Sequence, residues 1–181
     1  MMIRRVFAVF LLFSAAASVF AGPVSIFYQA ENLGSGRWQY NYTLVNNSLS
    51  EGVNEFTIWF DYGLYEDMAI EPGNISDKFW DEIVSEPLCI PPFAPYNGIY
   101  DALVLQDGAV TAGQSVNGFT VSFNWLGDGT PMSQYFQIID PDTFETIADG
   151  YTITEAISTV PLPGALILSI IGIGTVKLRK K

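Results

Sequence analysis

Residues 118–125 read Gly-Phe-Thr-Val-Ser-Phe-Asn-Trp, so large apolar side chains alternate with small polar ones. A period of two is typical of a β-strand with one apolar face. The expected buried face consists of Phe119, Val121, Phe123 and Trp125. Thr120 and Ser122 are then expected on the solvent side of the strand.

The same alternation recurs in residues 38–44, which read WQYNYTL, and in residues 56–60, which read FTIWF. Shorter strand candidates are residues 25–29, 102–105, 135–139 and 151–155. Turn-forming runs of Asn, Asp, Gly and Pro separate these segments. Seven or more short strands joined by turns predict an all-β fold, an antiparallel immunoglobulin-like β-sandwich.

One segment departs from this alternation. In residues 77–86, apolar side chains recur at helical spacing, and Pro87 ends the run. The residues with this spacing are Phe79, Trp80, Ile83 and Val84. We therefore predict one short helix, inside a long excursion between strands that covers residues 65–97.

The charges are distributed unevenly along the 181 residues. Six of the eight basic residues lie in the first five or last five positions, whereas all 19 acidic residues lie between Glu31 and Glu155. Arg37 and Lys78 are the basic residues of the long middle segment. Because such an acidic body repels phosphate backbones, nucleic acid is excluded as a partner.

The chain contains no histidine and one cysteine. A Ser-His-Asp triad, a Cys-His pair and a zinc site of Cys and His ligands are therefore excluded. The carboxylates show no catalytic pattern, so we predict that the protein is not an enzyme and needs no cofactor. Cys89 cannot form an internal disulfide, and we expect it to be a small, buried apolar residue.

The first 21 residues have the three parts of a secretory signal. Arg4 and Arg5 form a basic start, residues 6–13 are apolar, and small residues follow. The pattern predicts a signal helix that signal peptidase cleaves between Ala21 and Gly22. Residues 22–159 then form the mature β-sandwich domain.

The last 22 residues, 160–181, also have three parts. They begin with the motif Val160, Pro161, Leu162, Pro163, Gly164. An apolar stretch follows at residues 165–176, and Lys177 begins a basic terminus that includes Arg179. This pattern predicts a hydrophobic helix that is held transiently in the inner membrane, with its basic end in the cytoplasm.

These three C-terminal parts resemble the PEP-CTERM sorting signal of exported proteins of Gram-negative bacteria. Residues 160–163 match its VPLP variant, in which leucine replaces the glutamate of the PEP form. The resemblance implies that an exosortase recognises the tag and that the protein reaches the cell surface or the extracellular polymeric matrix. The body, residues 36–150, is similar to a recurrent globular domain of PEP-CTERM proteins, notably in NEFTIWFDYGLYE at residues 54–66. That similarity implies location and fold but no activity.

Two kinds of site are candidates in the body. Trp59 falls on the solvent phase of its strand, close to Tyr62, and exposed aromatic side chains can stack on sugar rings. The alternative is that residues 65–97 cover Trp59. Asp128, Asp140 and Asp142 lie on predicted loops and carry the hard oxygen ligands that calcium prefers. The alternative is that these aspartates only form turns.

Three functions are compatible with these observations. The first is a non-enzymatic, surface-sorted protein with a structural or adhesive role in the extracellular matrix. The second is a carbohydrate-binding module of the extracellular polysaccharide, and the third is a hydrolase. The first hypothesis is favoured, and it places the protein outside the cell, with signal peptidase, exosortase and, in passing, the inner membrane as its partners.

Overall fold

The computed structural model describes residues 22–71, 79–106 and 108–155. The predicted signal helix with Ala21, and the sorting motif from Val160 to Gly164 with its hydrophobic helix, lie outside these described residues. Within the described part of the chain the structure is all-β, and no helix there is long and apolar enough to cross a membrane. The prediction of an all-β body is confirmed.

In the described residues, ten strands form two five-stranded sheets. The strands are β1 (Val24–Gly34), β2 (Arg37–Asn46), β3 (Glu55–Phe60), β4 (Tyr65–Ile70), β5 (Trp80–Ser85), β6 (Gly98–Val104), β7 (Ser115–Trp125), β8 (Tyr135–Ile139), β9 (Thr146–Tyr151) and β10 (Ile153–Thr154). The first sheet has the order β10-β1-β2-β7-β4, and the second sheet has the order β5-β6-β3-β8-β9. Neighbouring strands are antiparallel except β1 and β10, which are parallel.

The two sheets pack face to face through an aromatic core. Phe56 of the second sheet meets Phe119 of the first sheet edge to face, with ring centroids 4.8 Å apart. Tyr42 of the first sheet stacks with Tyr100 of the second sheet at 6.2 Å. These side chains come from alternate positions of their strands and are fully buried. The fold is therefore a β-sandwich, in which each inner face is apolar and aromatic.

Strand β7 is buried on both of its faces over residues 119–123. Thr120 is 6% exposed and Ser122 is 0% exposed, so the prediction that they face solvent was wrong. The cause is that residues from distant parts of the chain cover this outer face of β7. Arg37 and Glu71 both hydrogen-bond to the Ser122 hydroxyl, and the backbone N–H of Glu71 donates to the Thr120 carbonyl at 3.0 Å.

The segment predicted to be helical forms strand β5 instead, and the predicted excursion at residues 65–97 also contains strand β4. It pairs antiparallel with β6, so that Trp80 lies opposite Val104 and Val84 lies opposite Tyr100. Trp80 is buried, whereas Ile83 is exposed. Pairing with β6 satisfies the backbone groups of this segment, and the adjacent β-branched Ile83 and Val84 favour a strand over a helix.

Cys89 is exposed, which contradicts the expectation that it is buried. It lies in residues 88–97, all of which are exposed. Leu88 and Tyr96 pair with each other through two backbone hydrogen bonds of 3.0 and 2.8 Å. This local bridge closes the loop on itself, so its apolar side chains do not reach the core.

The cover over β7 makes Ser122 important for stability. We expect Ser122→Ala to lower the free energy of unfolding by about 1–3 kcal/mol, because it removes the hydrogen bonds that the buried hydroxyl makes to the charged side chains of Arg37 and Glu71. Ser115→Ala, at the exposed start of the same strand, is the control and should change stability by less than about 0.5 kcal/mol. Urea unfolding followed by tryptophan fluorescence measures both. Equal effects of the two substitutions would contradict the covering role of Arg37 and Glu71.

Candidate functional site

Three aromatic side chains lie in line across the outer face of the second sheet. The antiparallel pairing of β3 with β8 ends with Ile58 opposite Phe136. Continuing this register by one residue puts Trp59 across from Tyr135. In the pairing of β8 with β9, Tyr135 lies opposite Tyr151. We call Trp59, Tyr135 and Tyr151 the aromatic row; all three line one small cavity.

The aromatic row is accessible to a ligand. Tyr151 is 67% exposed, and Trp59 and Tyr135 are partly exposed. The rings of Tyr135 and Tyr151 meet edge to face, with centroids 5.6 Å apart and an angle of 61° between their planes. These two rings of the row are therefore tilted relative to one another rather than coplanar.

Hydrogen bonds hold the row in place. The Trp59 indole N–H donates to Oε1 of Gln137 at 3.0 Å. The Gln137 side chain is held at its other end, since its Nε2 donates to the Thr146 hydroxyl at 3.0 Å. The Tyr135 hydroxyl donates to Oδ2 of Asp149 at 2.9 Å. Because these contacts exist without a ligand, binding would require little reordering of the side chains.

Carboxylates surround the aromatic row. Asp61 lines the same cavity, and Asp101 lies on the adjacent β6, where it accepts a hydrogen bond from the Thr57 hydroxyl at 2.5 Å. Burial raises the pKa of Asp101, and the nearby Asp81 adds to the increase. Burial, followed by the charge of Asp101, also raises the pKa of Glu55. Because Arg37, the one basic residue of the described ranges, lies on the first sheet, the carboxylates that ionise give the outer face of the second sheet a negative potential.

The sequence placed Trp59 on the outer face, and the structure places it there, with its hydrogen-bond partner on β8. Tyr62 was predicted beside it, but it lies in the turn after β3, where it is 47% exposed and its backbone N–H bonds to Asn97. Tyr62 is not part of the row. Sequence reasoning missed Tyr135 and Tyr151, although both lie in segments that it predicted as short strands.

The loop aspartates proposed for calcium have a turn-forming geometry. Oδ1 of Asp140 accepts hydrogen bonds from the backbone N–H groups of Asp142 and Thr143 at 2.9 and 3.3 Å. The first of these bonds lowers the pKa of Asp140 most. Within residues 22–71, 79–106 and 108–155, no group of three or more His, Cys, Asp or Glu side chains is placed to hold a metal ion. Calcium binding by Asp128, Asp140 and Asp142 stays a prediction.

No protein-family model matches this chain, and no curated protein matches it. Some solved structures show a weak likeness. The biomass-sensing modules from Rsgi-like proteins of Clostridium thermocellum, which resemble the family 3 carbohydrate-binding module of the cellulosome, align with a TM-score of 0.37 at 10% identity, over 61% of this chain and 77% of that chain.

A family 3b carbohydrate-binding module from the biomass-sensing system of Clostridium clariflavum aligns with a TM-score of 0.39 at 10% identity, over 72% of this chain and 85% of that chain. The GH20 exo-β-N-acetylglucosaminidase of Vibrio harveyi aligns with a TM-score of 0.36 at 11% identity, over 74% of this chain but only 18% of the enzyme. Likenesses this weak assign neither a family nor a ligand to this chain.

The raised pKa values of Asp101 and Glu55 predict that the protein is more stable in mild acid. When the pKa of a carboxyl group is higher in the folded state, its protonation stabilises the fold. This stabilisation is complete below the unfolded pKa, about 4, and is lost as the pH rises through the folded pKa. The melting temperature should therefore decrease from about pH 4.5 to about pH 7.

Asp101→Asn tests the source of this dependence, because the amide keeps an oxygen for the Thr57 hydroxyl but cannot ionise. It should raise the melting temperature at neutral pH and flatten the profile. Asp128→Asn removes one negative charge from an exposed loop and serves as the control. Parallel profiles for the two variants, measured by circular dichroism at constant ionic strength, would show that Asp101 is not responsible.

Proposed function

We propose that this chain is an exported, non-enzymatic protein that binds carbohydrate in an extracellular polysaccharide matrix, and that the aromatic row is its binding surface. The observation that carries the proposal is the alignment of Trp59, Tyr135 and Tyr151 across three adjacent strands. Aromatic rings combine a large apolar face with polar tips. A sugar ring presents the complementary surface, with C–H groups on its faces and hydroxyl groups around its edge.

The dimensions of the row favour a chain of sugars over a single sugar. Adjacent strands lie about 4.8 Å apart, so the outer two residues of the row are about 10 Å apart. Because the rings of Tyr135 and Tyr151 are tilted relative to each other, they suit successive sugars of a flexible chain better than a flat crystalline surface. Asp61 and Asp149 lie beside the rings, where they can accept hydrogen bonds from sugar hydroxyls.

The sequence supports the location and the absence of catalysis. A chain without histidine lacks the usual hydrolytic triads. Residues 1–21 have the pattern of a secretory signal, and residues 160–181 resemble a PEP-CTERM tag, which points to signal peptidase and an exosortase as processing partners. The repeated crossing of the chain between two mainly antiparallel sheets supports the immunoglobulin-like type of sandwich.

Substitutions in the aromatic row test the proposed ligand surface. Trp59→Ala and Tyr151→Ala should each weaken polysaccharide binding at least about tenfold, which corresponds to about 1.4 kcal/mol. Tyr62→Ala, which removes an exposed tyrosine outside the row, should bind like the wild type. Affinities measured by glycan array and isothermal titration decide the question. Wild-type affinity in both row variants, with unchanged melting temperatures, would disprove the role of the row.

The sorting tag has its own test in a host that carries an exosortase. Removal of residues 160–181 should abolish surface sorting. Pro163→Ala leaves the apolar stretch and the basic end intact, so it should reduce processing while the protein stays attached to the membrane. Ser158→Ala, just before the motif, is the control. If surface fractionation finds Pro163→Ala processed like the wild type, the C-terminus acts only as a membrane anchor.

A further inference from the structure

The outer face of the first sheet carries a polar strip that runs across its strands. Gln29 of β1 lies opposite Asn41 of β2, and Asn41 lies opposite Thr120 of β7. Glu155, which follows β10, continues the strip at one side, and Glu71, which follows β4, continues it at the other. All five residues line one concave cavity, which we call the polar groove.

The polar groove is large enough for a ligand. Its volume is about 590 Å³, within the range of ligand sites in proteins. A second cavity of about 680 Å³ adjoins it and shares Gln29, Asn41 and Glu155 with it. The wall of this second cavity includes Pro131 and Met132. Amide, hydroxyl and carboxylate groups therefore form the floor of the groove, and the apolar side chains of Pro131 and Met132 border it on the side of the second cavity.

Hydrogen bonds inside the groove fix the side-chain amides of Gln29, Gln39 and Asn41 but leave some of their donor and acceptor atoms available. Nε2 of Gln29 donates to Glu155 at 2.6 Å. Oδ1 of Asn41 accepts from Nε2 of Gln39 at 3.0 Å and from the Thr120 hydroxyl at 3.2 Å. Among the described residues, no hydrogen bond engages the NH₂ group of Asn41 or Oε1 of Gln39. Both donors and acceptors therefore remain for a ligand, in fixed positions.

The charges around the groove select against anionic ligands. Arg37 is the one basic residue in the described part of the chain, and it is engaged by Asp67 at 2.9 Å and by Glu71 at 3.9 Å. Glu71 and Glu155 leave the groove with a negative potential. Uronate, sulfate and phosphate groups would be repelled, whereas uncharged hydroxyl groups would find donors and acceptors.

The position of the groove also distinguishes a sugar from an extended peptide. Peptides that add to a sheet bind the free backbone groups of an edge strand. The floor of the groove consists of side chains from β1, β2 and β7, and β2 and β7 have paired neighbours on both sides. A ligand there meets amide and hydroxyl side chains rather than a free strand edge, which is the chemistry that recognises a polyol.

We propose that the polar groove is a second carbohydrate site, specific for uncharged polysaccharide chains, and that the protein cross-links two such chains. The groove and the aromatic row lie on the outer faces of the two packed sheets, on opposite sides of the sandwich. One molecule can therefore hold one chain on each side. The cross-linking part of this proposal rests on the proposed function, whereas the groove site does not.

The test uses the full-length protein with three soluble neutral polysaccharides as probes: dextran, xyloglucan and a mixed-linkage β-glucan. For at least one probe, isothermal titration should give two sites per protein, and addition of protein should raise the viscosity of the solution. Asn41→Asp keeps the oxygen that Gln39 and Thr120 use but removes the NH₂ donors and adds a charge. It should weaken one site at least tenfold and abolish the increase in viscosity.

Asn124→Asp makes the same chemical change on β7, at a residue that lines neither cavity, and should behave like the wild type. Trp59→Ala should lose the other site and also abolish the increase in viscosity.

If Asn41→Asp loses binding and Trp59→Ala does not, the groove is supported and the aromatic row is disproved. Wild-type stoichiometry in Asn41→Asp, or no binding of any probe, would overturn the groove proposal. Binding of polyglutamine in place of the polysaccharides, lost in Asn41→Asp, would assign the groove to a peptide.

Discussion

The buried side-chain amide of Gln134 is the contact on which the alignment of the two sheets depends. Gln134 directly precedes β8 of the second sheet and is 4% exposed. Its Nε2 donates to the hydroxyl of Tyr40, at 2.6 Å, and to that of Tyr65, at 3.3 Å, and its Oε1 accepts from the hydroxyl of Tyr42 at 3.2 Å. All three tyrosines belong to the first sheet. Because an unsatisfied buried hydroxyl costs about 1–3 kcal/mol, any shift of one sheet over the other that breaks these bonds is unfavourable.

The same contact connects the core to the aromatic row. The backbone N–H of Gln134 donates to the Thr152 hydroxyl at 2.9 Å, and the backbone N–H of Thr152 donates to the Gln134 carbonyl at 2.8 Å. Tyr135 follows Gln134, and Tyr151 precedes Thr152, so these two hydrogen bonds place the partly exposed ring of Tyr135 beside the exposed ring of Tyr151. Burial raises the pKa of Tyr40 far above its usual range, so its hydroxyl stays protonated even in alkaline solution, where an exposed tyrosine would ionise.

The alternation of side chains was sufficient to predict strands such as β2, β3 and β7 and their inner faces, as in Phe119, Val121 and Phe123, but β4, β5 and most of β9 were missed. It was insufficient wherever a distant segment decides the outcome. Ser122 has the position of a solvent-facing residue, but Arg37 and Glu71 cover it. The four apolar residues of the 79–84 region fit a helix, whereas Glu82 interrupts the apolar phase that a strand over Trp80 and Val84 would show. A pairing with β6, in which the Tyr100 hydroxyl donates to Glu82, decides between the two, and no local pattern contains it.

In the candidate site, too, one part of the arrangement follows from the local sequence and another part from the pairing of distant strands. The phase of Trp59 follows from the sequence around it, whereas its neighbours in the row follow from the strand order β3-β8-β9. The chemistry of both outer faces, in contrast, follows from composition. Acidic residues far outnumber basic ones in the body, and Arg37 is neutralised by Asp67 and Glu71. Both faces therefore retain carboxylates without a nearby free cation in the described part of the chain. A matrix polymer that binds either face must tolerate this negative potential, and an uncharged polysaccharide meets that requirement with the fewest desolvated charges.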